Sequence, residues 1–233
     1  HDFSAEELLS IYRSNQQADG RVGGYANWGV YTPSMIYSSA QHFLLSQNRE
    51  SFEQLLPATL KALDWCLAEI DRAEKVDGPG KGLVRAPLND LTSEGIWAFN
   101  QAYFYAGLDA LAQALARIDH PRAAECRQAA ARFQQSVKTG FARASVAAPL
   151  VQLRDGTWSP YVPSDVARPR RLFDEWYPTD VDTGAVHLVR LKALDYHSPL
   201  ADALLHDHED NLYLHGWGMA NEPVYNQQAT AYL

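Results

Sequence analysis

Apolar positions recur along the chain at the three- and four-residue spacing of α-helices, and the helices that they predict are of two kinds. In 52–70 and 123–141 the apolar residues form one stripe opposite a charged face. In 32–45 and 96–116 the spacing is also helical, but charged residues are almost absent. Since a helix without a charged face is packed on most of its sides, the uncharged helices are predicted to lie inside the charged ones.

This alternation continues along the chain. The eight predicted helices, odd ones with a charged face and even ones without, are about 4–15, 32–45, 51–71, 96–116, 121–141, 182–194, 199–205 and a last one that starts at Pro223. Between the fifth and sixth helices, 150–162 is predicted to form a β-hairpin that turns at Asp155-Gly156.

The connections between helices alternate as well, because long ones precede the uncharged helices and short ones follow them. Helices joined by short turns pack antiparallel, so the long loops are all expected at one end of the structure. An inner ring of helices inside an outer ring satisfies both patterns. We therefore predict one all-α domain over 1–233, with a small β-hairpin in one long loop. An open superhelical array is the alternative, although its repeats have uniform, short loops.

Composition narrows the classes of ligand. The 233 residues carry a formal net charge of -8 and contain no basic run, which argues against a nucleic-acid or anionic-membrane partner. No apolar stretch is long enough to span a membrane. Cys66 and Cys126 fall inside helical patterns without a paired spacing, so they are predicted to be buried thiols, and they leave the compartment open. A neutral, polar ligand fits this composition.

Three runs of sequence resemble the six-hairpin glycosidases, the (α/α)6-toroid group that includes rhamnosidase-, glucoamylase- and trehalase-type enzymes. They are YTPSMIYSSAQHFLLSQNRESFEQLLPATLKALDW, GLVRAPLNDLTSEGIWAFNQAYFYAGLDALAQAL and GMANEPVYNQQATAYL. The resemblance lies in helix texture and loop position, and it implies a toroid of helical hairpins. Such toroids have twelve helices in a closed ring, whereas eight are predicted here, so we expect an incomplete ring, as in a fragment.

The resemblance also implies an activity. Most members hydrolyse glycosidic bonds with inversion, which takes one protonated carboxylic acid and one carboxylate base on opposite sides of the sugar, about 6.5–9.5 Å apart. No cofactor is implied, and the partner is a carbohydrate. His206-x-His208 with Glu209 and Asp210 has the donors of a metal site, but a solvated helix end explains it equally well, so no metal is predicted.

The proposed general acid is Asp90, in the long loop before the fourth helix. It lies beside Asn89 and upstream of Trp97, surroundings that raise a carboxyl pKa if they exclude water. Glu94 is its rival. The alternative for either residue is a structural role, with Asp90 binding a turn amide and Glu94 complementing the helix dipole.

The proposed base is Glu222, in Asn221-Glu222-Pro223, because a proline at a helix start points the preceding residue toward the mouth of the ring. An N-cap asparagine followed by a first-turn acid is the structural alternative. Glu175, in the long loop before the sixth helix, is the second candidate for this role.

Aromatic side chains in the long loops are the candidates for stacking on sugar rings, since flat rings grip a ligand with apolar faces and polar edges. They are Trp28, Tyr31, Trp97, Trp158, Trp176, Tyr177, Trp217 and Tyr225, with the amides Asn89 and Asn221 beside the proposed acids. Aromatic residues are also ordinary core residues, which is the alternative for each of them.

Two other functions are consistent with the sequence. A sugar epimerase or lyase of the same fold would use His or Tyr as proton shuttles, and histidines are sparse in these loops. A non-catalytic glycan-binding module or helical scaffold is the other.

Overall fold

A computed structural model of the chain describes residues 2–88, 91–172, 184–214 and 217–218. Its helices are α1 (Phe3–Asn15), α2 (Tyr31–Ser46), α3 (Arg49–Glu74), α4 (Ala98–Arg117), α5 (Ala123–Ala147), α6 (Val186–Arg190) and α7 (Pro199–Asp207). Three antiparallel strand pairs are β1 (Ala86–Leu88) with β2 (Leu91–Gly95), β3 (Leu150–Gln152) with β4 (Trp158–Pro160), and β5 (Tyr213–Leu214) with β6 (Trp217–Gly218). The predicted dominance of α-helix is confirmed.

Helix α4 lies at the centre of the helical layer. It packs against α2 on one side and α5 on the other, while α3 packs on α2. Of its 20 residues 13 are buried, against 9 of 25 in α5, as its uncharged sequence predicts. Gly107 permits the close approach of α2, because a Cβ at this position would lie 2.6 Å from the carbonyl oxygen of Pro33. The uncharged helices α2 and α4 therefore form an inner pair.

Helices α3 and α5 each bury one apolar stripe and expose a charged face. Phe52 and Leu63 of α3 are fully buried, as are Val137 and Phe141 of α5. Burial of one such side chain contributes roughly 1.5–3 kcal/mol, so these stripes hold the outer helices to the inner pair. The described helices do not by themselves define a ring. No helix within the described part of the chain combines the length and apolarity needed to cross a membrane.

Several predicted boundaries shift. The cap of α1 is Asp2 rather than Ser4, since the Asp2 carboxylate accepts a hydrogen bond from the Ala5 amide. Helix α2 begins one residue earlier than predicted, at Tyr31, and the hydroxyl of Thr32 accepts a hydrogen bond from the Val22 amide at 2.9 Å. The hairpin at 150–162 and helix α7 are confirmed.

Two larger differences lie near the long loops. The β1–β2 pair was not predicted within 77–95, where the residues do not alternate between apolar and polar. Within 184–194 only Val186–Arg190 is helical, and Lys192 has a positive φ of 61° that ends the turn, so the predicted helix over 182–194 is too long. The predicted helix from Pro223 lies outside the described residues.

Candidate functional site

The long connections meet at the end of the molecule where α2 and α4 begin, which we call the loop face. The segment before α2 contains a 3-10 turn, Tyr25–Asn27, that contacts β1. The amide of Gly29 donates a hydrogen bond to the carbonyl of Pro87 at 3.0 Å. A Cβ on Gly29 would lie 2.3 Å from that of Ala86, so only glycine allows this contact without a shift. The first and second long loops are therefore joined.

A buried carboxylate joins the second long loop to the third. Asp165 is 0% exposed and accepts hydrogen bonds from the amides of Ile96 (2.8 Å) and Ala167 (2.9 Å) and from Nε of Arg168 (2.9 Å). The amide of Ala98, at the start of α4, donates to the carbonyl of Ser164 at 2.7 Å. These bonds satisfy the buried charge and fix the head of α4 against the third loop.

A second buried ion pair joins the third long loop to the fourth. Arg171 pairs with Asp207, which is 1% exposed and also accepts a hydrogen bond from Nδ2 of Asn211 at 2.8 Å. On the surface nearby, the amide of Arg154 donates to the carboxylate of Asp210 at 2.9 Å. The described parts of the four long connections are thus linked in series.

His208 lies beside this ion pair and is fully buried. Burial lowers its pKa to about 4, so the imidazole is neutral at pH 7. The carboxylate of Asp210 accepts the hydrogen bond from the Arg154 amide described above. Among the described residues no group of three or more histidine, cysteine or acidic side chains is arranged to hold a metal ion.

Two aromatic rings stand at the start of α2 on the loop face. Trp28 and Tyr31 are stacked, with centroids 5.8 Å apart and an interplanar angle of 6°. Tyr25, which is 71% exposed, meets Trp28 edge-on at 6.3 Å. The sequence predicted both Trp28 and Tyr31 as ligand contacts, and the structure places them beside the β1 strand of the next loop.

Two polar atoms near this stack have no hydrogen-bond partner within the described residues. They are Nε1 of Trp28, a donor, and Oδ1 of Asn100, an acceptor, and both are buried. Asn100 lies against Gly29, the neighbour of Trp28, and its Nδ2 donates to the Pro87 carbonyl at 3.4 Å. Buried polar groups are rarely left unpaired, so this part of the loop face has one donor and one acceptor that are open to further hydrogen bonds.

Further aromatic residues continue from the head of α4 along its side. Phe99 and Tyr103 are half-buried and in edge contact at 5.1 Å. His187 of α6 lies 4.7 Å from Phe99, and Arg190 donates to Nδ1 of His187 and to the hydroxyl of Tyr103, both at 3.0 Å. His187 is therefore a buried, hydrogen-bonded histidine.

The sequence did not predict Asn100, Phe99 or Tyr103 as ligand contacts. The available signal was the spacing of four between Phe99 and Tyr103, which puts both on one face of α4. In a helix that is nearly uncharged, this spacing does not distinguish a ligand-facing aromatic from a core one.

Among the proposed catalytic carboxylates, Glu94 is the one that belongs to the described residues. It lies in β2, its side chain is exposed, and its carbonyl accepts a hydrogen bond from Nη1 of Arg85 at 3.4 Å. Asp90, Glu175 and Glu222 lie outside the described residues, although the strands on either side of Asp90 are described.

The proposed sugar-stacking residues fall in different places. Trp97 is 0% exposed and packs with Leu88 and Leu172 beneath the guanidinium of Arg168, so its ring offers no face to a ligand and belongs to the core. Trp158 is 62% exposed on the hairpin of β3 and β4. The backbone of Trp217 lies in β6. Outside the described residues are Asn89, Trp176, Tyr177, Asn221 and Tyr225.

Comparison with known proteins adds no relative. No protein-family model, curated protein or solved structure matches the chain.

Proposed function

We propose that the protein is a glycoside hydrolase whose helical hairpins belong to an (α/α) toroid and whose loop face binds the sugar. The observation that carries this proposal is the chain of contacts that links the described parts of the long connections: Gly29 to Pro87 before α2, Ile96 to Asp165 before α4, and Arg171 to Asp207 at the end of α7. Active sites are commonly built from loops that a rigid scaffold brings together.

The groups at the centre of the loop face suit a neutral, hydroxyl-rich ligand. The stacked rings of Trp28 and Tyr31 supply flat apolar surface for the face of a pyranose. A sugar hydroxyl accepts from Nε1 of Trp28 and donates to Oδ1 of Asn100, the two buried atoms that otherwise lack partners within the described residues. A net charge of -8 also favours a neutral ligand over an anionic polymer.

The catalytic pair is assigned to the loop carboxylates. Asp165 and Asp207 are buried, but donors from arginine and amide groups already occupy their oxygens, so they position the loops. We assign Asp90 as the acid that protonates the leaving oxygen and Glu222 as the base that removes a proton from the attacking water. Glu94 and Glu175 are the second candidates for these two roles.

A screen of the chain against aryl glycosides tests the proposal. Since general acid or base catalysis contributes roughly 10²- to 10⁴-fold, Asp90→Asn and Glu222→Gln should each lower kcat by about that factor. Asp155→Asn, in the exposed turn between β3 and β4, is the matched control and should leave kcat unchanged. Hydrolysis that survives in the double variant Asp90→Asn/Glu222→Gln would overturn the assignment of the pair.

A sugar epimerase or lyase is the second candidate, and one observation favours it. Arg190 bridges His187 and the hydroxyl of Tyr103, which places two groups capable of proton transfer side by side near the head of α4. NMR of the products separates the reactions. Hydrolysis releases a new reducing end, epimerisation yields an isomer of equal mass, and elimination yields an unsaturated sugar. Binding without turnover would indicate a glycan-binding module.

A further inference from the structure

A concave site at the C-terminal ends of α3 and α5 shares no lining residue with the Trp28–Tyr31 stack. It is a cleft of about 740 Å³ between the C-terminal ends of α3 and α5. Its other walls are 76–85 of the second long loop, with Ile96, and 166–169 of the third. A cleft of this volume has the size of small-molecule sites in general.

The floor of the cleft is apolar and preformed. Leu83, Ile96 and Val166 are the largest of its buried side chains, with Val84 and two alanines beside them. The amide and carbonyl of Val84 are held by the side-chain amide of Gln101 at 3.0 and 2.8 Å, and the amide of Val166 donates to the carbonyl of Ile96 at 3.1 Å. A ligand would therefore meet a surface already ordered by α4, at low conformational cost.

At the rim an apolar side chain remains open to solvent. Val76 follows the end of α3 and is 60% exposed. Gly78, two residues later, faces open space, with no atom within 4 Å of a Cβ placed there. The entrance to the floor is thus unobstructed at Gly78.

The charged residues that line the cleft include more arginines than carboxylates. Arg72 pairs with Glu69, whose pKa is raised by burial against the opposing effect of Arg72. Asp77 is held by Lys81 at 3.3 Å. The cleft has two more guanidinium groups, those of Arg85 and Arg143.

Neither of these two groups is neutralised. Within the described part of the chain Arg85 reaches only the carbonyl of Glu94, at 3.4 Å, and Arg143 has neither an ion pair nor a hydrogen bond. Both side chains are exposed and line the cleft, and neither has a carboxylate partner within the described residues. They point to a ligand that brings its own negative charge.

We propose that this cleft binds an amphipathic anion, with a ring system or short chain against Leu83, Ile96 and Val166 and a carboxylate or sulfonate toward Arg85 and Arg143. Guanidinium groups favour such oxyanions because they donate parallel hydrogen bonds as well as charge. The proposal does not depend on glycosidase activity. It concerns different residues and a ligand that is charged and partly apolar, whereas the sugar is neutral and polar.

Two probes that share one ring system test the proposal on the full chain. Anilinonaphthalene sulfonate carries the anion, and N-phenylnaphthylamine is its uncharged parent. Fluorescence titration should give a tighter Kd for the sulfonate. Arg143→Ala should weaken sulfonate binding about tenfold, the loss expected for one charge-assisted contact, without changing binding of the parent. Arg127→Ala, at an exposed position of the same helix, is the control and should change neither.

A pair of tryptophan substitutions locates the binding. Ala147 lines the cleft at the end of α5, whereas its neighbour Val146 is 89% exposed and does not line it. Ala147→Trp should reduce sulfonate affinity at least tenfold because the indole fills the entrance, while Val146→Trp should leave it unchanged. If Arg143→Ala and Ala147→Trp both retain the original Kd for the sulfonate, the site is not this cleft and the proposal fails.

Discussion

The two ends of the helical layer are built in different ways. At the end opposite the loop face, which we call the turn end, α2 passes into α3 through Gln47 and Asn48 alone. Gln47 takes a positive φ of 56° and Asn48 caps α3 by accepting from the Ser51 amide at 3.1 Å. At the loop face the connections are long, and the buried carboxylates Asp165 and Asp207 hold them together.

The difference indicates that the two ends have different roles. Local turns and caps join helices without burying charge, and each cap contributes about 1 kcal/mol to stability. Buried ion pairs need complete hydrogen bonding to offset their desolvation, so they are a demanding way to join loops. Their concentration around the N-termini of α2 and α4 suggests that the loop face is ordered for a purpose beyond connecting helices.

The largest effect should come from Asp165. Asp165→Ala leaves the Ile96 amide and the Arg168 guanidinium without their buried acceptor, so we expect a loss of about 3–5 kcal/mol in the free energy of unfolding, measured with urea. Asp165→Asn is the matched variant, since it keeps an acceptor oxygen and should lose less. Losses below 1 kcal/mol in both variants would mean that this carboxylate does not hold the loop face together.

The next largest effect should be a loss of stability in acid that is caused by His208 at the loop face. Its pKa is about 4 in the fold against an ordinary 6.5, so between these values the unfolded chain binds the proton and the folded chain does not. Stability should therefore fall as pH drops from about 7 to 4, by about 3 kcal/mol in total. Urea titrations across this range measure the slope. His208→Gln should remove it, and His197→Gln, at an exposed site, should retain it.

The turn end should respond only at lower pH. Hydrogen bonds from Ser51 and His42 lower the pKa of Asp2 below its ordinary value of 3.8. The stabilisation from this carboxylate is present above pH 3.8 and is lost as pH falls through the lowered pKa. In His208→Gln, acid destabilisation should therefore begin below pH 3.8, and an onset near pH 6 in that variant would show that His208 is not the loop-face group responsible.

A smaller effect is expected at the cap of α3. Asn48→Ala removes the acceptor for the Ser51 amide and should cost about 1 kcal/mol, measured by urea unfolding. Asn48→Ser is the control, because it keeps an acceptor oxygen without placing a second carboxylate beside Asp2, to which Nδ2 of Asn48 donates at 3.1 Å. A loss as large as that of Asp165→Ala would erase the distinction between the two ends.

The smallest effect should come from an exposed ion pair at the turn end. Arg49 and Glu53 lie 2.7 Å apart with side chains 61% and 51% exposed. Arg49→Ala should change the free energy of unfolding by roughly 0.5 kcal/mol or less, because exposed pairs gain little in water. Thermal unfolding in low and high salt measures it. The contrast with the pair of Asp165 and Arg168 isolates the effect of burial.

The helices and the turn end could be predicted from sequence because their causes are local. The stripe that contains Phe52 and Leu63 repeats at helical spacing, and Asp155-Gly156 is a turn dipeptide between short apolar runs. Even the position of the loop face follows from the alternation of short and long connections.

The inner arrangement of the loop face could not be predicted, because its causes are distant in sequence. Asp165 accepts from the Ile96 amide 69 residues away, and no local pattern marks that partner. Trp97 lies in a polar, aromatic stretch that indicated a ligand contact, yet it packs under Arg168 in the core. A side chain at a loop–helix junction faces either way, and only tertiary packing decides which.

Hydrogen–deuterium exchange with and without bound sugar tests the central claim most directly. The inactive Asp90→Asn/Glu222→Gln variant keeps the aryl glycoside that the chain hydrolyses intact during labelling. We predict that the sugar slows amide exchange in 24–31 and 84–98 and leaves 46–50 and 117–123 at the turn end unchanged. Slower exchange at the turn end, with the loop face unaffected, would contradict the assignment of the sugar site to the N-termini of α2 and α4.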